Sequence, residues 1–358
     1  MESTEADFLQ DNAAAGLGRR RFVGVAGAAI SSLLLPDWVR AAGFEWKLVN
    51  HNGRDYVRFK DVQSFYRFQR YERDGRHIWL RSTSLVLKAA VESDELYLNN
   101  VKFCLSYPIL EMDGQVLVSR MDLAKLLDPV MRPAFINNRI LFDTVVLDPG
   151  HGGQDPGARG VLGWEKDYAL DLGLRLRKVL QAKNFKVKMT RETDVFISRE
   201  GRYRVANAAP NSIFISLHFN SNVRTASGVE TYALSPTGAA STDQPNRLSD
   251  GRILSGNNRD AENIALATAV HAMVLFKMKC IDRGIRRARW TVLTGLDRPG
   301  ILFEGGFVTS PTEGASIHTS VYRDQLAQSI LGGILNYRNA VAKRSGVPQA
   351  PAGGTVKK

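Results

Sequence analysis

The order of hydrophobic and polar positions changes in character at about residue 144. Downstream, short apolar runs alternate with longer segments whose apolar residues recur every three or four positions. Strands are predicted at 145–147, 186–189, 213–217, 229–234, 290–293 and 301–303. Helices are predicted through 169–180, from a cap at Ser198 to about 208, and over 262–279 and 322–341. This alternation predicts an α/β domain over 144–342, with a mostly parallel twisted sheet between helices.

Residues 44–133 contain shorter elements of another kind. Alternation at 55–59 predicts a strand, Asn-Asn at 99–100 and Asp-Gly at 113–114 predict two hairpins, and 121–127 reads as a short amphipathic helix. We therefore predict a small α+β domain before the larger one. Its succession of hairpin, strand and helix resembles the copper amine oxidase N-terminal-like domain. A linker is expected at 134–143, and a disordered tail rich in Pro, Gly and Lys at 343–358.

The first 41 residues have the pattern of an export signal. Arg19 and Arg20 precede an uncharged apolar run at 23–35, which is shorter than the ~20 residues that a membrane helix needs. Val39-Arg-Ala then offers a small-x-Ala cleavage site after Ala41. The arginine pair followed by Phe22 resembles a twin-arginine export signal. A buried N-terminal helix is the alternative. We expect an exported protein of the periplasm or cell envelope, with no stable membrane span.

Composition narrows the class of protein. The 358 residues suggest about two domains, and 44% hydrophobic residues with 23% charged argue against a mainly disordered chain. Two cysteines exclude a disulfide scaffold, and we expect Cys104 and Cys280 to be buried thiols, although a pairing stays open. The net charge of +12 favours anionic partners. Export argues against nucleic acid and favours cell-wall polymers. Five arginines between residues 67 and 81 form either a solvated face or a polyanion-binding patch.

Four residues that can carry chemistry follow predicted strands or begin a helix. His151 lies in the glycine-rich run 148–153 after the first strand, and Glu165 begins a helix. His218 and Glu304 end two other strands, so all four converge on one edge if those strands are parallel. Two imidazoles and one carboxylate suit a catalytic Zn²⁺, and a further carboxylate can take a proton from water.

Each of these features also has a structural interpretation. A histidine at a strand end is commonly hydrogen-bonded, Glu165 can stabilise a helix N-terminus, and Glu304 can be a buried ion-pair partner. The glycine-rich turn lacks the pattern of a phosphate loop, and neither H-E-x-x-H nor G-x-S-x-G occurs in the chain.

Taken together, five ordered motifs resemble the zinc-dependent N-acetylmuramoyl-L-alanine amidases of the amidase 3 family. The motifs are Asp-Pro-Gly-His-Gly-Gly at 148–153, Glu-Lys-Asp at 165–167, Ser-Leu-His-Phe-Asn-Ser at 216–221, Arg-Gly-Ile-Arg at 283–286 and Leu-Phe-Glu-Gly-Gly-Phe at 302–307. The resemblance implies a zinc exopeptidase-like fold, with His151, Glu165 and His218 as zinc ligands and Glu304 as the catalytic carboxylate. The implied substrate is peptidoglycan, cleaved between N-acetylmuramic acid and the L-alanine of the stem peptide.

Several roles stay open at this stage. Asp148 can support a ligand histidine or play a structural role, and Asn220 and Arg286 can hold substrate or serve packing. A zinc carboxypeptidase-like hydrolase and a non-catalytic cell-wall binding module are the alternative functions, and the need for a protein activator is undecided. The polar segment 235–261 is long for a connection inside a domain, so we expect it to control access to the site.

Overall fold

A continuous sheet of eleven strands runs through the computed structural model, which describes residues 44–242 and 244–342. The predicted leader at 1–41 and the tail at 343–358 lie outside the described residues. The strands are β1 Leu48–His51, β2 Arg54–Arg58, β3 Arg70–Asp74, β4 His77–Arg81, β5 Val86–Ala90, β6 Glu95–Leu98, β7 Val101–Cys104, β8 Leu110–Met112, β9 Gln115–Ser119, β10 Thr144–Pro149, β11 Lys186–Met189, β12 Ser212–Asn220, β13 Val229–Leu234, β14 Asp282–Ala288 and β15 Gly300–Phe307.

The large sheet has the order β11-β10-β12-β15-β13-β14-β7-β6-β5-β4-β3. Strands β11, β10, β12 and β15 are parallel, β13 is antiparallel to β15, and β14 is parallel to β13. The central strands β10 and β12 consist almost wholly of buried residues, as expected for parallel strands with both faces covered. The predicted α/β class, with a mostly parallel sheet between helices and a small preceding α+β region, is confirmed.

Helices cover both faces of the parallel part. The α-helices of the described residues are α1 Phe59–Tyr66, α2 Arg120–Asp122, α3 Asp128–Met131, α4 Glu165–Gln181, α5 Arg199–Asn207, α6 Asp260–Met278, α7 Thr291–Thr294, α8 Pro311–His318 and α9 Ser320–Ala342. On one face, Leu172 and Val270 pack with Val145 in the larger apolar cluster. On the other, Leu293 packs with Val146 in a smaller cluster. None of the described helices is long and apolar enough to cross a membrane.

The strands of residues 44–133 fall into two sheets. Strands β1, β2, β9 and β8 form a separate antiparallel sheet, whereas β7 pairs with β14 and extends the large sheet through β6, β5, β4 and β3. The hairpin turns at Asn99-Asn100 and Asp113-Gly114 were predicted, and both pairs have the positive φ angles that such turns need. A buried ion pair between Asp122 and Arg287 joins this region to β14.

One predicted strand is wrong. Residues 290–293 were assigned to a strand, but Thr291–Thr294 form the short helix α7, and the strand lies just before it at Asp282–Ala288. That strand contains three arginines, which hide its β character from a hydrophobicity pattern. Arg283 bonds Glu230 and Arg287 bonds Asp122, so charges that look solvent-facing in the sequence are paired inside the protein.

The segment 235–261 does not lie where an access gate should. The segment begins after Leu234, the last residue of β13. Because β13 runs antiparallel to β15, Leu234 lies away from the end that carries Glu304 and towards the first residues of β15. There the segment contacts the far ends of the strands, for example through Arg289, which donates to the carbonyl oxygens of Pro236 and Asp250 at 3.0 Å. The expectation that this segment controls access to the site is therefore not supported by its position.

Candidate active site

The first site residue, His151, lies in a tight loop at the end of β10. Its φ of +58° is left-handed, which is uncommon for a residue with a side chain. Two buried arginines hold the loop backbone: Arg191 donates to the carbonyl oxygen of Gly150 at 2.7 Å, and Arg202 donates to that of His151 at 2.8 Å. These two hydrogen bonds fix the backbone of the loop and so position the imidazole of His151.

Glu165 is the first residue of α4 and lies between the two histidines. Its Oε1 is 3.0 Å from His151 Nε2 and 2.9 Å from His218 Nδ1. Its other oxygen, Oε2, accepts a hydrogen bond from the backbone N–H of Ala158 at 3.0 Å. With only 5% of its surface exposed, Glu165 is a buried carboxylate directed at two imidazoles rather than a solvated cap of a helix.

His218 and Glu304 face each other on neighbouring strands. They are register partners on β12 and β15, so both side chains emerge on the same face at the same level of the sheet. Gly150 crosses above His218, and a Cβ on this glycine would lie only 2.2 Å from His218 Cε1. The four residues therefore lie together at one edge of the sheet, as predicted.

The electrostatics of the site couple these groups. Burial favours a raised pKa for Glu165, but the hydrogen bonds and charges of His151 and His218 outweigh it and lower the pKa. Burial likewise favours a lowered pKa for His151, but Glu165 and Asp155 outweigh it and raise that pKa. Glu165 is thus held as a carboxylate, the form in which it can bind a cation.

Glu304 has the opposite perturbation. Burial and the negative charges of Glu165 and Glu230 raise its pKa well above the ordinary value. Its buried Oε2 has no hydrogen-bond partner among the described residues. Buried polar atoms normally have partners, so an unpartnered oxygen beside a carboxylate–imidazole cluster is available to a ligand or water.

A second buried carboxylate, Glu230, organises two residues that the sequence left undecided. Asn220 donates to its Oε2 at 3.0 Å, and Arg286 Nε lies 3.7 Å from its Oε1. Arg283 and Tyr232 also donate to Glu230, at 2.8 and 2.7 Å. Asn220 and Arg286 therefore lie around the register partner of Glu304 rather than around the histidines.

Asp148 lies beneath the loop. It is fully buried, and its carboxylate accepts hydrogen bonds from Thr190, Ser216 and Arg202 at 2.6–2.8 Å. These contacts fit the structural alternative. The carboxylate beside the second ring nitrogen of His151 is instead Asp155, whose Oδ2 lies 2.9 Å from Nδ1. Sequence reasoning missed Asp155, although it follows His151 by four residues in a turn containing Gly and Pro.

The cluster fits a metal ion. One ligand atom from each of His151, Glu165 and His218 lies within 4.8 Å of the others. Zinc ligands at about 2.1 Å in a tetrahedral arrangement are separated by roughly 3.4 Å, within about 0.5 Å of the 2.9 and 3.0 Å measured from the glutamate to the two imidazoles. Gly157 leaves room on the other side, because a Cβ there would approach His151 to 2.6 Å and Glu165 to 2.7 Å.

Comparison with known proteins identifies the larger part of the chain. Relatives include N-acetylmuramoyl-L-alanine amidase AmiC of Escherichia coli O6:H1, 33% identical over 217 residues that make up 54% of this chain and 52% of the relative. The amidase LytC of Bacillus subtilis is 28% identical over 203 residues, 56% of this chain and 37% of LytC. The chain thus spans about half or less of the length of these curated relatives.

Among solved structures, the amidase AmiC2 of Nostoc punctiforme is 31% identical, covers 56% of this chain and 99% of its own, and superposes with a TM-score of 0.46. Residues 145–336, more than half of the chain, match the profile of one family over the region that contains His151, Glu165, His218 and Glu304. The chain belongs to the N-acetylmuramoyl-L-alanine amidase family.

Proposed function

We propose that this protein is a zinc-dependent peptidoglycan hydrolase that cleaves the amide bond between N-acetylmuramic acid and L-alanine. The observation that carries the proposal is the convergence of His151, Glu165 and His218 beside the unpartnered oxygen of Glu304. Family membership supports the choice of bond, since the relatives are named for this activity.

The three ligand side chains would hold the zinc, with His151 contributing Nε2, His218 Nδ1 and Glu165 Oε1. A zinc ion bound there would act as a Lewis acid toward the scissile carbonyl and lower the pKa of a water molecule. Asp155 would orient His151 through its Nδ1, and the short distances around Glu165 would keep both rings in place.

Glu304 would move the proton. Its Oε2 takes a proton from the attacking water as the water oxygen bonds to the carbonyl carbon. It then gives the proton to the alanine nitrogen as the C–N bond breaks, so that the carboxylate is restored and an acid and a free amine are the products. The buried position of Oε2, which has no hydrogen-bond partner among the described residues, suits a group that must carry the proton between these two steps.

The remaining parts of the proposal concern where the protein works. The leader at 1–41 would export it to the periplasm or cell envelope, where peptidoglycan is the partner and a protein activator can take part. A Lys pair in place of Arg19 and Arg20 should then leave precursor in the cytoplasm. Normal export of that double variant would contradict a twin-arginine signal.

The test of the activity is Glu304→Gln assayed on purified peptidoglycan and on a soluble muropeptide. The amide keeps the size of the side chain but cannot accept the proton, so turnover should fall by about 10²–10⁴-fold while bound zinc is retained. Mass spectrometry of wild-type products should show stem peptides with a free L-alanine amine. Near-normal turnover of zinc-loaded Glu304→Gln would overturn the role of Glu304, and release of single terminal residues would favour a carboxypeptidase.

A further inference from the structure

The strands contributed by residues 44–133 place a row of half-buried side chains on the same sheet face as Glu304. Register partners in neighbouring strands point to the same face, so the face can be followed from strand to strand. Glu304 on β15 is opposite Glu230 on β13, and Tyr232, two residues further along β13, is opposite Arg286 on β14. This face therefore contains Glu304, Glu230 and Arg286.

The same face continues into the added strands. Ile285 is the partner of Phe103, and both are buried on the helix-covered side, so Gly284 and Arg286 share the other side with Lys102. A Cβ on Gly284 would lie 3.2 Å from Lys102 Cγ, which agrees with the two residues being on the same side of the sheet. From Lys102 on β7 the register then leads across the remaining strands through Tyr97, Lys88, Trp79 and Glu72.

The row runs at nearly one level of the sheet. With strands about 4.8 Å apart, the six steps from Glu304 on β15 to Trp79 on β4 span roughly 29 Å. No described helix covers this side of β4–β6, where Trp79, Lys88 and Tyr97 are all half-buried. The opposite side of these strands carries the buried core residues Ile78, Leu87 and Leu96. The face is thus accessible over β4–β6, and its register continues through β7 and β14 to the strands that carry Glu304 and the buried Glu230.

The chemistry of the row suits a polysaccharide. Trp79 and Tyr97 flank Lys88, and aromatic side chains provide flat apolar area with a polar edge, against which sugar rings stack. Lys88 donates to the neutral amide oxygen of Asn100 at 2.9 Å, so its charge is available to an anion. Beside it lies an open polar cleft of about 460 Å³, lined by Arg81, hydroxyl groups and the amides of Asn99 and Asn100.

We propose that this row, Trp79-Lys88-Tyr97-Lys102, is a binding track for the glycan strand of peptidoglycan outside the site of cleavage. The proposal rests on the function proposed above. The aromatic side chains would stack on the sugar rings, and Lys88 would pair with a carboxylate of the strand's substituents. Lys102, which is paired with Glu95 at 3.3 Å, would extend the track by its position rather than by a free charge. The track would hold a polymeric substrate to the enzyme while contributing nothing to a fragment too short to reach it.

The direct test is cosedimentation of the full mature protein with bead-immobilised glycan strands from which the peptides have been removed. We expect the double variant Trp79→Ala, Tyr97→Ala to bind at least fivefold more weakly than wild type. Phe276→Ala is the matched control, since Phe276 is an aromatic on α6 that is 73% exposed. Equal binding of wild type and double variant would overturn the proposal, and this readout needs no hydrolysis.

Activity separates the track from the catalytic site. The double variant should lose about fivefold or more in rate on insoluble peptidoglycan, mainly through KM, and stay within twofold of wild type on a soluble disaccharide-peptide. Lys88→Glu, a surface change, guards against misfolding and should show the same contrast. Equal losses on both substrates in Lys88→Glu would overturn the track. Absence of wild-type activity on both would instead refute the proposed function and leave the cosedimentation result to decide the track.

Discussion

Gly150 should be required for metal binding, although it is not itself a ligand. A Cβ at this position would lie 2.2 Å from His218 Cε1 and 2.6 Å from His218 Nδ1. Carbon atoms in contact prefer about 3.5 Å or more, so the imidazole of His218 would have to retreat by about 1.3 Å in Gly150→Ala. Metal–ligand distances tolerate about 0.2 Å, which is far less than this displacement.

The backbone has little freedom to absorb the clash. His218 belongs to β12, which pairs with β10 on one side and β15 on the other, and the carbonyl of Gly150 is held by Arg191. The φ of Gly150 lies outside the left-handed region, so the steric clash and not backbone strain is what the substitution introduces. Loss of a side chain that hydrogen-bonds a metal ligand typically weakens metal binding by about 10–100-fold. We expect Gly150→Ala to weaken zinc binding at least as much, with a matching loss of turnover.

The assay is zinc per chain after dialysis against a chelator, together with turnover on a soluble muropeptide and thermal unfolding. Gly251→Ala is the matched control, because a Cβ there meets nothing within 4 Å and the φ is ordinary. That variant should keep its zinc and its turnover. If Gly150→Ala also retained one zinc per chain and turned over within threefold of wild type, the proposed ligand geometry at His218 would be refuted.

Three further predictions concern carboxylates. Asp155→Asn should weaken zinc binding about 10–100-fold in chelator competition, since Asp155 lies 2.9 Å from His151 Nδ1; unchanged affinity would exclude the orienting role. Asp122→Ala should lower the free energy of unfolding, measured in denaturant, by about 3–5 kcal/mol, because it leaves the buried guanidinium of Arg287 without its ion-pair partner. A loss below about 1 kcal/mol would contradict this. Burial raises the pKa of Asp128 to about 6, so between about pH 4 and pH 6 the native carboxyl holds a proton that the unfolded chain releases. The free energy of unfolding should therefore fall by about 3 kcal/mol as pH rises from about 4 to about 6. Asp128→Asn should remove that slope, and an unchanged slope would refute it.

The sequence predicted those parts of the fold whose signals are local. Apolar runs located β10 and β12, Ser198 capped α5 as expected, and Asn99-Asn100 formed the predicted turn. The convergence of His151, His218 and Glu304 followed from one rule, that parallel strands end at the same sheet edge. Each of these inferences needed only residues that are near in sequence or the direction of a strand.

What the sequence missed depends on partners distant in the chain. Strand β14 looks hydrophilic because Arg283 and Arg287 find their acidic partners 53 and 165 residues away. The antiparallel direction of β13 could not be read from its apolar pattern, which is the same in either direction. That one reversal places the segment after Leu234 away from the site and brings Glu230 beside Glu304.

The region before residue 144 also shows why a change in local pattern is not a break in the structure. β14 would be an exposed edge strand if the parallel domain stood alone, and an edge with unpaired backbone groups invites association. Strand β7 occupies that edge, Lys102 donates its backbone N–H to Asp282, and Asp122 neutralises Arg287. The residues that close the edge of the sheet also extend the face that carries Glu304. The added strands that pair with β14 therefore also provide the surface on which we propose that a glycan strand lies.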